Sequence, residues 1–257
     1  MRSLGWRPDP PKAAGEKRDY EAAEILTSEV VPEASDNRGL VRSILDQGGI
    51  SSCVAQAVMQ AVRASHVRQG LIDAPLGSRL FAYYLSRSYH HDTGGDTGTF
   101  LRTCFGALNK FGFCVEDAWP YVDDGQTFRR MPSTEAFRVA FDQKSPTVYR
   151  RINSEGRERV DDVKRALAAG YLVSFGTGVS FDFTANKLSE PLDPPNASDV
   201  AGGHAMCFVG HTGDVFDTVN SWGTDWGDRG YCRFGASYVA WAGTQDLWLC
   251  EHAPRFS

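Results

Sequence analysis

Residues 220–231 read Asn220-Ser221-Trp222-Gly223-Thr224-Asp225-Trp226-Gly227-Asp228-Arg229-Gly230-Tyr231. The five residues before them, Val215 to Val219, are strand-like, so Asn-Ser-Trp-Gly taken alone is a turn at a strand end. The asparagine carries a second possibility. Its side-chain carbonyl can accept a hydrogen bond from one imidazole nitrogen, which fixes the tautomer and ring plane and leaves the other nitrogen for chemistry.

A histidine that could meet it lies upstream. His204 follows Ala201-Gly202-Gly203 and opens an apolar stretch, predicted as a strand over His204 to Val209. The glycines let another backbone approach the ring closely. Alone, a histidine at a strand start is more often a satisfied structural residue than a catalyst.

Further upstream stands Asp46-Gln47-Gly48-Gly49-Ile50-Ser51-Ser52-Cys53-Val54-Ala55. A turn over residues 46–49 leads into a helical pattern from Ser52 to about Arg68. Val54, Ala57, Val58, Ala61, Val62 and Ser65 fall on one face at i, i+3, i+4 spacing. Ser51 or Ser52 can cap the helix, and Gly70 can stop it. Cys53 therefore sits in the first turn, where a helix N-terminus favours the thiolate and a nearby imidazolium favours it further. The competing reading is a buried structural cysteine, a common fate for this residue type. Gln47 bears on the choice. Its amide NH2, folded back across the glycine turn, would join the Cys53 N–H as a two-donor oxyanion hole.

Two more helices are predicted, over Ser78 to Ser88 and over Phe100 to Lys110, the latter ended by Gly112. A polar loop separates them over His90 to Gly98. Downstream come a helix over Val160 to Ala169 and strands over Tyr171 to Phe175, His204 to Val209, Val215 to Val219 and Tyr231 to Phe234. A proline-bearing loop covers Phe181 to Val200. Helices first and strands second predict an α+β protein with two unlike lobes. Residues 1–40, rich in Pro, Asp, Glu and Arg, read as an extended arm or short prosegment.

The chain has 257 residues, 42% hydrophobic and 23% charged, with a formal net charge of -5. That suits a folded protein with a sizeable core. Without a run of Lys and Arg, nucleic acid is not the expected partner. No apolar stretch has membrane-spanning length, and the N-terminus lacks a secretory h-region. None of the six cysteines forms a CxxC pair. Free thiols without a signal sequence lead us to expect a cytoplasmic protein. His90-His91-Asp92 with Asp96 lacks metal-site spacing and reads as a solvated loop. Gly176-Thr177-Gly178 lacks the third glycine of a dinucleotide fingerprint. No metal or organic cofactor is expected.

The three segments together resemble the papain and cathepsin family of cysteine peptidases. Residues 46–55 resemble its nucleophile segment, Gly202-Gly203-His204-Ala205 its histidine segment, and residues 220–231 its asparagine segment almost letter for letter. They occur in the family's order and at its distances. Leu108-Asn109-Lys110-Phe111-Gly112 through Trp119-Pro120-Tyr121 also matches, so the similarity spans roughly residues 40–250. Gly5-Trp6-Arg7-Pro8-Asp9 with Arg18-Asp19-Tyr20 looks like the short leader of bacterial members.

The resemblance implies a papain-like two-lobed fold. Residues 41–120 would form a mainly helical lobe carrying the nucleophile. Residues 121–257 would form a β-barrel-like lobe carrying histidine and asparagine, with the active site in the cleft between. The Pro-rich, extended character of the arm would let residues 1 to about 25 lie along that cleft and restrain activity. It implies Cys53 as nucleophile, His204 as general base and then acid, Asn220 as the residue orienting His204, and Gln47 as an oxyanion donor. It implies that Trp222 shields the His–Asn bond and that the backbone of Gly98 and Thr99 pairs with bound peptide. The expected activity is that of a cysteine endopeptidase acting on peptide or protein. An acyl or isopeptide transferase using the same triad, or an inactive peptide-binding protein, are the alternatives. The family usually has bridged cysteines where Ile50 and Asp96 stand here, so that disulfide is absent as a unit.

Overall fold

The computed structural model describes residues 3–12, 19–142 and 147–252. Its centre is helix α1, Cys53–Arg68, of which all but Arg63, Val67 and Arg68 are buried. Small side chains all round make this possible, because a helix buried on every side must let its neighbours approach closely. The expected apolar face holds. The expected cap does not: Ser52 occupies the N-cap position without bonding the helix backbone. Its hydroxyl instead shares a 2.7 Å hydrogen bond with the Tyr121 hydroxyl and accepts one from Gln56 Nε2 at 3.1 Å.

Helices α2 (Arg79–Ser88) and α3 (Leu101–Phe111) pack beside α1. Ser78 caps α2 by accepting the Phe81 N–H at 3.1 Å. Gly112, at φ 75°, closes α3 as expected. Helix α4 (Thr134–Asp142) also belongs to this helical side. Its Ala136 and Ala140 cluster with Phe81 and Leu85 of α2 and Ala107 of α3. The helical side thus extends beyond residue 120, the boundary expected from sequence.

The remaining strands are antiparallel. β1 is Ala34–Asp36, β2 Val148–Ile152, β3 Val173–Ser180 and β4 Val200–Thr212, with β5 Val215–Val219, β6 Tyr231–Gly235 and β7 Thr244–His252. They run in the order β2-β7-β3-β4-β5-β6, with β1 added to the far end of β4. The path is an open sheet, not a closed barrel. Helix α5 (Gly156–Ala168) and the short helices α6 (Phe181–Thr184) and α7 (Ala236–Ala240) complete this side.

The pleat explains how two cores share one sheet. Along β4, Ala205, Cys207 and Val209 face the cluster around α1, while Met206 and Phe208 face the cluster with Val160 and Val163 of α5. Along β7, Trp248 and Cys250 face α1, and Leu247 and Leu249 face the other way. The sheet is therefore buried on both sides, and α1 is pinned against β4 and β7.

Where the family's disulfide would be, hydrogen bonds join the same segments. The Asp96 carboxylate accepts the Ser51 N–H at 3.0 and 3.1 Å and the Tyr83 hydroxyl at 2.7 Å. All six cysteines are buried thiols.

Candidate active site

The N-terminus of α1 meets β4 and the loop after β5. Cys53 begins the helix, fully buried. The backbone amides of Ala205, next to His204 on β4, and of Val54, Gly5 and Trp6 lie around its sulfur. His204 is buried too. Its Nε2 shares a 2.7 Å hydrogen bond with Asn220 Oδ1. That oxygen also accepts the Ser221 N–H at 2.7 Å, so the carboxamide is aimed by the turn that follows β5. His204 Nδ1 has no hydrogen-bond partner among the described residues. Trp222 lies over the imidazole, ring centroids 4.4 Å apart and planes at 30°, and is itself fully buried. Phe183 and Trp226 pack on Trp222 in turn, which seals the His–Asn pair from water.

Gln47 is placed by the same turn. Its N–H donates to the Ser221 carbonyl at 2.9 Å, and its Oε1 accepts from Ser221 Oγ at 2.7 Å. With the oxygen fixed, the NH2 group points inward. One contact goes to Ile50 O at 2.9 Å and the other to the carbonyl of Ser3 at 3.1 Å. Ser221 is thus a positioning residue that the sequence reading passed over, although it stands inside the stretch that decided the fold.

The arm occupies the same place. Residues 3–9 lie across this site. Trp6 bridges Thr99 in parallel: the Thr99 N–H donates to Gly5 O at 2.8 Å and the Arg7 N–H to Thr99 O at 3.0 Å. On the other side the Trp6 N–H donates to Gly203 O at 3.2 Å. An extended peptide is therefore held between the Gly98–Thr99 loop and the strand bearing His204. Gly98 permits this, because it has φ 70° and a Cβ there would sit 2.0 Å from Gly5 O. The sequence led us to expect residues 1 to about 25 along the cleft; the backbone partners Thr99 and Gly203 for Gly5 to Arg7 come from the structure. Arg18, part of the arm motif, lies outside the described residues.

Burial sets the electrostatics. The Cys53 thiol is pushed up to about 11 by loss of water, with the four backbone N–H groups opposing the rise. His204 is driven down to about 4 by the same burial, opposed by its bond to Asn220. With the arm docked, both groups are neutral at pH 7, and the sulfur is a poor nucleophile.

Among the described residues, no cluster of His, Cys, Asp or Glu is arranged to hold a metal ion, and no helix is long and apolar enough to cross a membrane.

Residues 31–246 match the model of a family described as papain family cysteine protease. A protein of Acanthamoeba polyphaga mimivirus, named an uncharacterized peptidase C1-like protein, is 32% identical over 245 residues, covering 88% of this chain and 78% of that one. Cathepsin K of Gallus gallus is 26% identical over 229 residues, covering 84% and 62%. Among solved structures, xylellain, a cysteine protease from Xylella fastidiosa, superposes with a TM-score of 0.84 at 26% identity over 98% of both chains.

Proposed function

The chain belongs to the papain family of cysteine proteases, and we propose that it is an endopeptidase that hydrolyses peptide bonds through a thioester on Cys53. The observation that carries this reading is the His204–Asn220 bond of 2.7 Å on the strand and turn packed beside the start of α1, with His204 Nδ1 without a hydrogen-bond partner among the described residues. His204 Nδ1 takes the thiol proton, and the sulfur attacks the carbonyl carbon of the substrate. The carbonyl oxygen becomes an oxyanion, held by Gln47 Nε2 and by the Cys53 N–H, one of the donors that a helix start leaves without an intrahelical partner. His204 then protonates the leaving amine and the C–N bond breaks, leaving an acyl thioester. Water, deprotonated by His204, attacks that thioester and restores the thiol.

In the conformation described here the chain is latent. The arm fills the site, and Ser3 O occupies the Gln47 donor that the oxyanion needs. We propose that the arm restrains activity and must leave before substrate binds. Peptide or protein is the partner this reading requires.

The test compares hydrolysis of a quenched fluorogenic peptide mixture by the Trp6→Ala chain with that by the same chain carrying Cys53→Ala. Turnover that vanishes with Cys53→Ala, at unchanged far-UV circular dichroism, is the expected result. Equal turnover by both would end the reading.

A further inference from the structure

The peptide between Ile50 and Ser51 is held from both sides. Its carbonyl accepts Gln47 Nε2 at 2.9 Å and the Ser52 N–H at 2.8 Å. Its N–H donates to the Asp96 carboxylate, 3.1 Å from Oδ1 and 3.0 Å from Oδ2. A trans peptide sets these two groups on opposite sides of one plane. The carboxylate therefore fixes the plane whose oxygen fixes Gln47. A carboxylate binds an N–H more strongly than a neutral acceptor does, and it polarises the peptide so that the carbonyl on the far side accepts more strongly too. With one Gln47 N–H held by Ile50 O, the second is the one that faces the site, where Ser3 O takes it. Asp96 reaches the substrate side as well. Its Oδ1 accepts the Tyr83 hydroxyl at 2.7 Å, and Tyr83 Oη accepts the Gly98 N–H at 3.1 Å. Gly98 leads into Thr99, whose N–H and carbonyl pair with the extended arm. Tyr83 is fully buried on α2, with the Arg87 guanidinium carbon 4.1 Å from its ring centroid. Arg87 Nη1 in turn holds the carbonyls of Thr93 and Gly95, at 3.1 and 2.5 Å, so the loop bearing Asp96 is fixed from its other end.

We propose that Asp96 is a positioning residue for the reaction. One carboxylate sets the oxyanion donor Gln47 through the Ile50–Ser51 peptide and sets the backbone of Gly98 and Thr99 through Tyr83. The inference rests on the peptidase reading above. The two branches carry different parts of the work. Thr99 meets the peptide in the ground state and in the transition state alike, so the Tyr83 branch governs binding. The oxyanion forms only once the sulfur has attacked, so the Ser51 branch governs the chemical step. Asp96 thus joins the turn that carries the oxyanion donor to the loop that holds substrate, and a shift in it disturbs both.

The experiment measures hydrolysis of a fluorogenic peptide by the full chain with Trp6→Ala, with kcat and KM resolved. Tyr83→Phe breaks only the branch to Gly98. KM should rise roughly fivefold to tenfold, with kcat within about twofold of the Trp6→Ala parent. Asp96→Ala breaks both branches, so KM should rise to a similar extent and kcat should also fall roughly tenfold to a hundredfold. Asp96→Asn keeps the shape and one acceptor oxygen, so its kcat should lie between those of Asp96→Ala and the parent; it carries the comparison if Asp96→Ala does not fold. A residue that only held the fold together would lower the unfolding midpoint without dividing kcat from KM in this way. Parent values of kcat and KM in the folded Asp96 variants, or a fall in kcat with Tyr83→Phe as large as with Asp96→Ala, overturn the inference. The binding branch is also read without turnover, as affinity for the same peptide in the Trp6→Ala, Cys53→Ala chain. Tyr83→Phe and Asp96→Ala should each weaken it roughly fivefold to tenfold, and unchanged affinity overturns the inference. Absence of turnover in the Trp6→Ala chain, with these affinity losses intact, would instead strike the peptidase reading.

Discussion

At the scale of single residues the account turns on three side chains whose roles are separable. Cys53→Ala removes the proposed nucleophile from a helix start that needs no thiol to fold, so activity should drop to background with the thermal unfolding midpoint within a few degrees of the parent. Asn220→Ala leaves His204 beneath Trp222 but frees the ring to turn. Loss of an orienting partner of this kind costs about tenfold to a hundredfold in kcat/KM, and steady-state kinetics on the Trp6→Ala background measures it. The places of Cys53, His204, Asn220 and Gln47 were legible from sequence because each stands in a short distinctive stretch, with paired glycines beside Gln47 and His204 and two tryptophans after Asn220. That of Asp96 was not, since nothing in Asp92-Thr93-Gly94-Gly95-Asp96 distinguishes a carboxylate turned toward Ser51 from a solvated one. Only the packing of that loop against Ser51 and Tyr83 turns it inward.

Among the elements, the loop that presents Gly98 and Thr99 is held where a disulfide would otherwise serve. Asp96 bonds Ser51 and Tyr83, and Tyr83 Oη accepts the Gly98 N–H at 3.1 Å. Asp96→Ala should therefore destabilise the fold by about 1–3 kcal/mol, read by denaturant unfolding. The arm carries a proton linkage. Asp9, between Asp246, Arg102 and Trp248, is raised to about 7, first by burial and then by the Asp246 charge. Its docked value lies above the ordinary carboxylate value, so its contribution to docking is present at low pH and is lost as pH rises through about 7. Asp9→Asn removes that contribution. The expected result is that exchange of the Trp6 and Arg7 amide hydrogens, corrected for intrinsic rates, speeds up between pH 4.5 and pH 8 in the parent and shows a smaller rise in Asp9→Asn. Helices α1, α2 and α3 were readable from their 3.6-residue apolar spacing. Helix α4 was not, because its buried face is only Ala136 and Ala140, and Phe141 is exposed. Strands β2 and β7 were missed for related reasons. Arg150 and Arg151 interrupt the first, and Asp246 breaks the second. The glycines opening β4 hid its first four residues.

For the whole molecule, the fold and the proposed latency come from one arrangement. The pleat of β4 and β7 buries the sheet on both faces and fixes α1 with its N-terminus beside His204. The same surface offers Thr99 and Gly203 as backbone partners, and the arm takes both. An α+β fold with two unlike sides was legible because helical and strand periodicities segregate along the chain. The arm's Pro-rich, extended character led us to expect it along the cleft, but an extended segment with few apolar residues carries no periodicity to fix its register, so its pairing with Thr99 and Gly203 was not legible. The central claim is that Cys53 is a nucleophile activated by His204. Its most direct test is labelling of the Trp6→Ala chain by a thiol-directed epoxide, located by mass spectrometry, with and without His204→Ala. The account predicts modification at Cys53 and at no other cysteine, slowed at least about a hundredfold by His204→Ala. Equal labelling in both proteins, or a label on a different cysteine, would contradict it.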